Sequence, residues 1–163
     1  MRPQVGGIIQ KRLFTEGDMV KAGQALYQID PSSYRATWNE AAAALKQAQA
    51  LVVSDCQKAQ RYASLVRDNG VSRQDADDAA SACAQDKASV ESKKAALESA
   101  RINLNWTTVT APIAGRIGIS SVTPGALVSA DQDTALATIR GLDTMYVDLT
   151  RSSVDLLRLS RQS

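Results

Sequence analysis

The sequence predicts an α+β protein in which a long antiparallel α-helical coiled-coil hairpin is inserted between the two halves of a small β-domain. Three observations carry that expectation. From Tyr34 to Asn105 runs an Ala-rich helical pattern without proline, whose one glycine, Gly70, sits at its break. Short alternating apolar stretches separated by turn signals lie on both sides of it. The two flanks also resemble each other. Gly7-x-Ile9 recurs as Gly115-x-Ile117, and Thr15-Glu16-Gly17-Asp18-Met19-Val20 as Thr123-Pro124-Gly125-Ala126-Leu127-Val128, both at an offset of 108 positions. Leu26-x-x-Ile29 then returns as Leu136-x-x-Ile139 after a slip of two residues. A β-domain with internal two-fold symmetry is the reading of such a repeat.

The first half-motif places apolar residues at Val5, Ile8 and Ile9, a turn at Thr15–Asp18, then Met19-Val20, an Ala22-Gly23 turn, and Ala25–Ile29. Pro31 ends the ladder, because it has no N–H to donate and forces the residue before it into extended geometry. Ser32 or Ser33 is then the expected N-cap of the first helix. Positions 38, 41, 45, 48, 52, 55, 59, 62 and 66 hold Trp, Ala, Leu, Ala, Val, Asp, Ala, Tyr and Val, the alternating three-four step of a coiled-coil seam. Asp55 is its one polar member, so the seam is expected to drift there and use Cys56.

Gly70 is expected as the C′ residue ending the first helix, and Ser72-Arg73-Gln74-Asp75 as a capping box opening the second, with Asp in place of the usual Glu. Ala76, Ala79 or Ala80, Cys83, Val90, Leu97 and Leu104 continue the seam on the second helix. Each arm should be roughly 50 Å long at 1.5 Å per residue. The domain assignment that follows is 1–31 and 107–140 for the β-domain and 32–106 for the hairpin, with its tip at about 67–72. Residues 141–163, with a strand at Met145–Leu149 and a short amphipathic helix, read as the start of a further domain.

Composition narrows the function. Nineteen basic against seventeen acidic residues weaken the case for a nucleic-acid partner, which needs a clustered basic face, and none is expected. Histidine is absent, removing the commonest general base and metal ligand together. Two cysteines, Cys56 and Cys83, are too few for a structural zinc site. The expectation is a protein that is not an enzyme, with no catalytic residues, metal or cofactor. No apolar run approaches the roughly 20 residues that cross a bilayer, and no signal peptide is visible. Met1 leads straight into strand-like Arg2-Pro3-Gln4-Val5, so the chain reads as a piece excised from a longer protein.

The two half-motifs look like the halves of a lipoyl/biotinyl-like β-sandwich domain. In that fold a hairpin turn between the halves displays a modified lysine. Here no lysine lies at the junction, which argues against the reading as the acyl-carrier domain of an enzyme complex. A half-motif split by a helical hairpin resembles the periplasmic adaptor (membrane fusion protein) family of tripartite RND multidrug efflux pumps, of the AcrA/MexA type. Arg2-Pro3-Gln4-Val5-x-Gly7-Ile8-Ile9, Leu26–Pro31, Ala100–Leu104 and Ala111-Pro112-Ile113-x-Gly115-Arg116-Ile117-Gly118 carry that resemblance. Leu142-Asp143-x-x-Tyr146-Val147-Asp148 looks like the family's lead into its β-barrel domain.

The resemblance implies an adaptor linking an inner-membrane RND transporter to an outer-membrane channel protein of TolC type. It also implies periplasmic location, anchoring to the inner membrane through parts outside this chain, and self-association into a hexameric ring. An adaptor of an ABC-type exporter is the sibling alternative. The family's tip pattern falls on Arg61, Leu65 and Ser72, implying contact with the channel there. The plainer alternative has Leu65 closing the seam, Ser72 capping a helix and Arg61 solvated.

Two expectations do not come from the family. If the helices pair about a turn at 69–70, facing residues have numbers totalling about 139, as Cys56 and Cys83 do. A disulfide between them is then the candidate, against the alternative of two buried thiols packing as small hydrophobes. Trp38 and Trp106, at the hairpin's base, are expected to be buried, as ordinary core or as a wedge against the β-domain.

Overall fold

A computed structural model describes residues 1–141. The strand and helix expected beyond Leu142, and the β-barrel start assigned to them, lie outside the described residues. Strands β1 (Gly7–Arg12), β2 (Met19–Val20) and β3 (Ala25–Ile29) precede helices α1 (Ser32–Arg67) and α2 (Arg73–Trp106); β4 (Thr108–Thr110), β5 (Gly115–Ile117), β6 (Leu127–Val128) and β7 (Ile139–Arg140) follow. They form a four-stranded sheet in the order β4-β3-β1-β6 and a three-stranded sheet in the order β2-β5-β7. One apolar core joins the sheets, built from Ile9, Val20, Leu26, Tyr27, Ile29, Val109, Ile117, Val128 and Leu136, all buried.

The sequence repeat is a physical two-fold. Ile9 pairs with Ile29 in the first half, and its equivalent Ile117 pairs with Ile139 in the second. Each half also hydrogen-bonds the other's turn. The Ile9 N–H donates to Ala126 O at 2.9 Å and the Gly125 N–H to Ile9 O at 2.7 Å. The same pair recurs as Ile117 N–H to Asp18 O and Gly17 N–H to Ile117 O, both 3.0 Å. Gly17 and Gly125 hold φ of 87° and 92°, a backbone that side chains rarely adopt, which explains the glycine at both repeat positions. Strands of two or three residues persist here because most of them are paired across halves, β6 with β1, β2 with β5 and β4 with β3, while β7 pairs with β5 in its own half.

At the hairpin's root, the Ile29 N–H donates to Thr107 O at 2.7 Å, tying the two ends of the insertion together. Thr107 is only 2% exposed, and its hydroxyl donates to Leu104 O at 2.6 Å. Gln28 bridges to Thr107 and accepts from the Thr108 hydroxyl at 2.9 Å, while the Tyr34 hydroxyl donates to Gly6 O. Tryptophan does not make this joint: Trp38 is half-buried, but Trp106 is 42% exposed, contrary to its expected burial. Polar bonds hold the root because its backbone groups, where strands give way to helices, need partners in any case.

The first helix is capped differently from expectation. Pro31 sits at the N-cap position with helical dihedrals and no side-chain cap. Asp30 Oδ1 instead accepts from the Ser32 N–H at 3.0 Å and the Ser32 hydroxyl at 2.7 Å. These bonds favour the ionised carboxylate and hold the Asp30 pKa below its usual range.

Candidate functional site: the distal end of the hairpin

The helices are 36 and 34 residues long and pack along an Ala-rich seam about 50 Å in length. Ala48, Ala79, Val90 and Ala100 are its buried members. Between Ala79 and Ala80 the structure selects Ala79; Ala80 faces solvent. Every seam position read on α1 is at least half-buried, including both Asp55 and Cys56.

At the tip, α1 ends in a Schellman motif. The Gly70 N–H donates to Leu65 O at 2.8 Å and the Asn69 N–H to Val66 O at 3.3 Å. Asn69, with φ 54°, is the left-handed C′ residue, displacing Gly70 from that expected role. Gly70 is needed for a different reason. A Cβ there would lie 3.3 Å from both Cδ2 and the carbonyl O of Leu65. Ser72 then caps α2, its Oγ accepting from the Asp75 N–H at 3.0 Å. The capping box is half-formed, since no bond returns from the Asp75 carboxylate.

Arg61 and Leu65 stand one helical turn apart on the same side of α1, and Ser72 lies across the turn. All three are exposed. Leu65 is 43% exposed, so Tyr62 and Val66 close the seam in its place. Arg61 enters no ion pair among the described residues. The tip thus offers a guanidinium, an apolar knob and a hydroxyl whose lone pair already serves the helix. Such a set suits surface contact.

Rootward of the tip, Cys56 and Cys83 face each other across the seam with Cα atoms 4.7 Å apart, within disulfide reach, and their sulfurs are joined. Beside them lies a feature that the sequence reading missed. Asp86 occupies the seam of α2 near Asp55 of α1. Although Asp86 as a whole is half-buried, its Oδ2 is fully covered and has no hydrogen-bond partner in the ionised state. Its carboxyl is held above the usual range, first by hydrogen bonding with the Asp55 carboxyl, then by burial and by the Asp55 charge. The signal was present, since the numbers 55 and 86 total 141, close to the pairing rule that linked the cysteines.

A family model described as RND MFP, barrel-sandwich hybrid domain, matches residues 1–140. The multidrug efflux pump subunit AcrA of Escherichia coli (strain K12) is 50% identical over 162 residues, covering 99% of this chain and 41% of AcrA. The multidrug resistance protein MexA of Pseudomonas aeruginosa is 52% identical over 162 residues, covering 99% of this chain and 39% of MexA. The chain therefore spans about two-fifths of the length of these relatives. Among solved structures, ZneB of Cupriavidus metallidurans shares the fold with a TM-score of 0.61 at 23% identity, over 87% of this chain and 60% of that one.

Proposed function

The chain belongs to the RND membrane fusion protein family, and on that premise we propose that it is the hairpin-bearing part of a periplasmic adaptor in a tripartite multidrug efflux pump. The adaptor joins an inner-membrane RND transporter to an outer-membrane channel of TolC type. The hairpin tip docks on the channel through Arg61, Leu65 and Ser72. Copies stand side by side in a ring of six, anchored at the inner membrane by parts outside this chain. The role is one of geometry and coupling, with energy supplied by the transporter.

One observation carries this reading: an exposed leucine, an arginine with no ion pair among the described residues and a capping serine are displayed together about 50 Å from the sandwich. Folding alone does not require an arm of that length, because the root closes on itself through the Ile29–Thr107 bond. Contact with a distant partner does.

The test is site-specific photocross-linking in the full-length protein in cells, with the probe at Ser72 and a control at Lys46, exposed on α1 in the root half of the hairpin. The expected result is capture of an outer-membrane channel from Ser72 and none from Lys46. Capture of only other copies of the adaptor, or of nothing, from Ser72 would refute docking through the tip and make the hairpin an oligomerisation device.

A further inference from the structure

The Asp55–Asp86 pair has no part in tip contact, yet it sits in the seam that keeps the arm closed. We propose that these two carboxyls form a proton-dependent latch on the hairpin, on the root side of the Cys56–Cys83 crosslink: a shared proton holds the helices together, and its loss loosens residues 48–55 and 86–92, while the crosslink stops the opening from running to the tip. The inference concerns the hairpin itself and does not rest on docking.

A shared proton satisfies the pair directly. A carboxylate has only acceptors, so two ionised groups facing each other leave an oxygen without a donor, as Asp86 Oδ2 is left here. One proton between them supplies the missing donor and removes the repulsion together. Nothing nearby substitutes for it. On α1 the nearest cation is Lys58, one turn away, and its Nζ lies 5.4 Å from the Tyr62 ring centroid. On α2, Asp75 and Asp78 line the same open cleft of about 370 Å³ as Asp55, Lys58 and Tyr62, adding negative charge. Lys87, next to Asp86, stands on the exposed side of α2.

The direction of the pH effect follows by linkage. The folded hairpin keeps a proton that the unfolded chain releases in the ordinary carboxyl range. Stability is therefore greatest in acid, falls as pH rises from that range through the raised value of Asp86, and then levels off. An isolated salt-bridged aspartate would give the opposite slope.

Amide hydrogen exchange of the whole chain at a series of pH values, corrected for intrinsic exchange, reads this directly. Protection over 48–55 and 86–92 should fall about tenfold for each pH unit crossed between the ordinary and the raised carboxyl pKa, while 57–82, beyond the crosslink, holds its own. Asp86→Asn and Asp55→Asn should each abolish the dependence. Unchanged protection over 48–55 and 86–92 in the unsubstituted chain, or a persistent dependence in both variants, would overturn the latch. The Asp86 carboxyl carbon resonance of the unsubstituted chain provides a check free of mutation, and titration at the ordinary aspartate value would overturn it equally. With both cysteines changed to serine, the same pH step should spread tipward into 57–82; confinement to 48–55 and 86–92 would remove the crosslink's role as the boundary.

Discussion

Removing the Cys56–Cys83 crosslink should lower the stability of the hairpin by about 3.5 kcal/mol. The bond closes a loop with a sequence separation of 27. The chain-entropy relation then gives about 12 cal/mol/K lost from the unfolded ensemble, or about 3.5 kcal/mol at 25 °C. Native-state terms should be small, because Cys56 and Cys83 are half-buried and serine is nearly isosteric, leaving no sizeable cavity. Urea unfolding followed by far-UV ellipticity is the assay, since the two helices, 36 and 34 residues, dominate that signal. The oxidised chain, the reduced chain and the double Cys→Ser variant should fall into two groups, with the last two alike and unfolding at lower urea. The slope with urea should rise slightly, because an unlinked unfolded chain exposes more surface. Unfolding free energies equal to within about 0.5 kcal/mol, or two titratable thiols in unreduced, denatured protein, would refute the reasoning.

The sandwich and the tip yield two more expectations. Gly115→Ala should destabilise the β-domain by about 3 kcal/mol, because its Cβ would lie 2.3 Å from the carbonyl O of Arg140 on the paired strand. Gly7→Ala, its symmetry mate, meets only Ile29 Cγ2 at 2.6 Å and should cost about half as much; equal losses in thermal unfolding would show that backbone contact is not the deciding term. At the tip, Ser72→Ala should cost about 1 kcal/mol and speed amide exchange at Asp75, through loss of the cap. Ser72→Asp should keep the cap and its stability yet weaken capture of the channel, and unchanged capture would separate Ser72 from docking.

Much of this architecture could be read from the residues because its signals are periodic. The three-four step of α1 placed every seam residue correctly, and the 108-residue offset picked out the strands that later proved symmetry-related. What escaped the reading was non-local or turned on one dihedral angle. Nothing in the Gly7 and Gly115 repeats states that β1 pairs with β6 and β2 with β5 across the halves. Gly70 looked like the left-handed residue because glycine usually is, but asparagine also tolerates that region and Asn69 takes it. Asp30 caps α1 from two residues upstream, in an Asx-type bond that competes with the expected serine cap. Asp86 carries no mark in the apolar period of its own helix, because its meaning lies in its partner across the gap.

Cross-half pairing also explains how so long an arm can be inserted without weakening its platform. Each half's strands are held by the other half, through β1–β6, β2–β5 and the symmetric turn bonds at Gly17 and Gly125. Closure of the sandwich thus depends little on what joins β3 to β4. An antiparallel hairpin returns its ends together, and the Ile29–Thr107 bond fixes them, so the insertion behaves as a short loop rather than a long one in the closure cost. The arm's stability is then set by its own seam, whose small alanines allow close approach but bury little apolar area per turn. In such a marginal seam a single crosslink or a single proton has leverage that it would lack in the sandwich core. Asp55, Cys56, Cys83 and Asp86 are concentrated in that part of the molecule, where a change in their state alters the arm and leaves the platform intact.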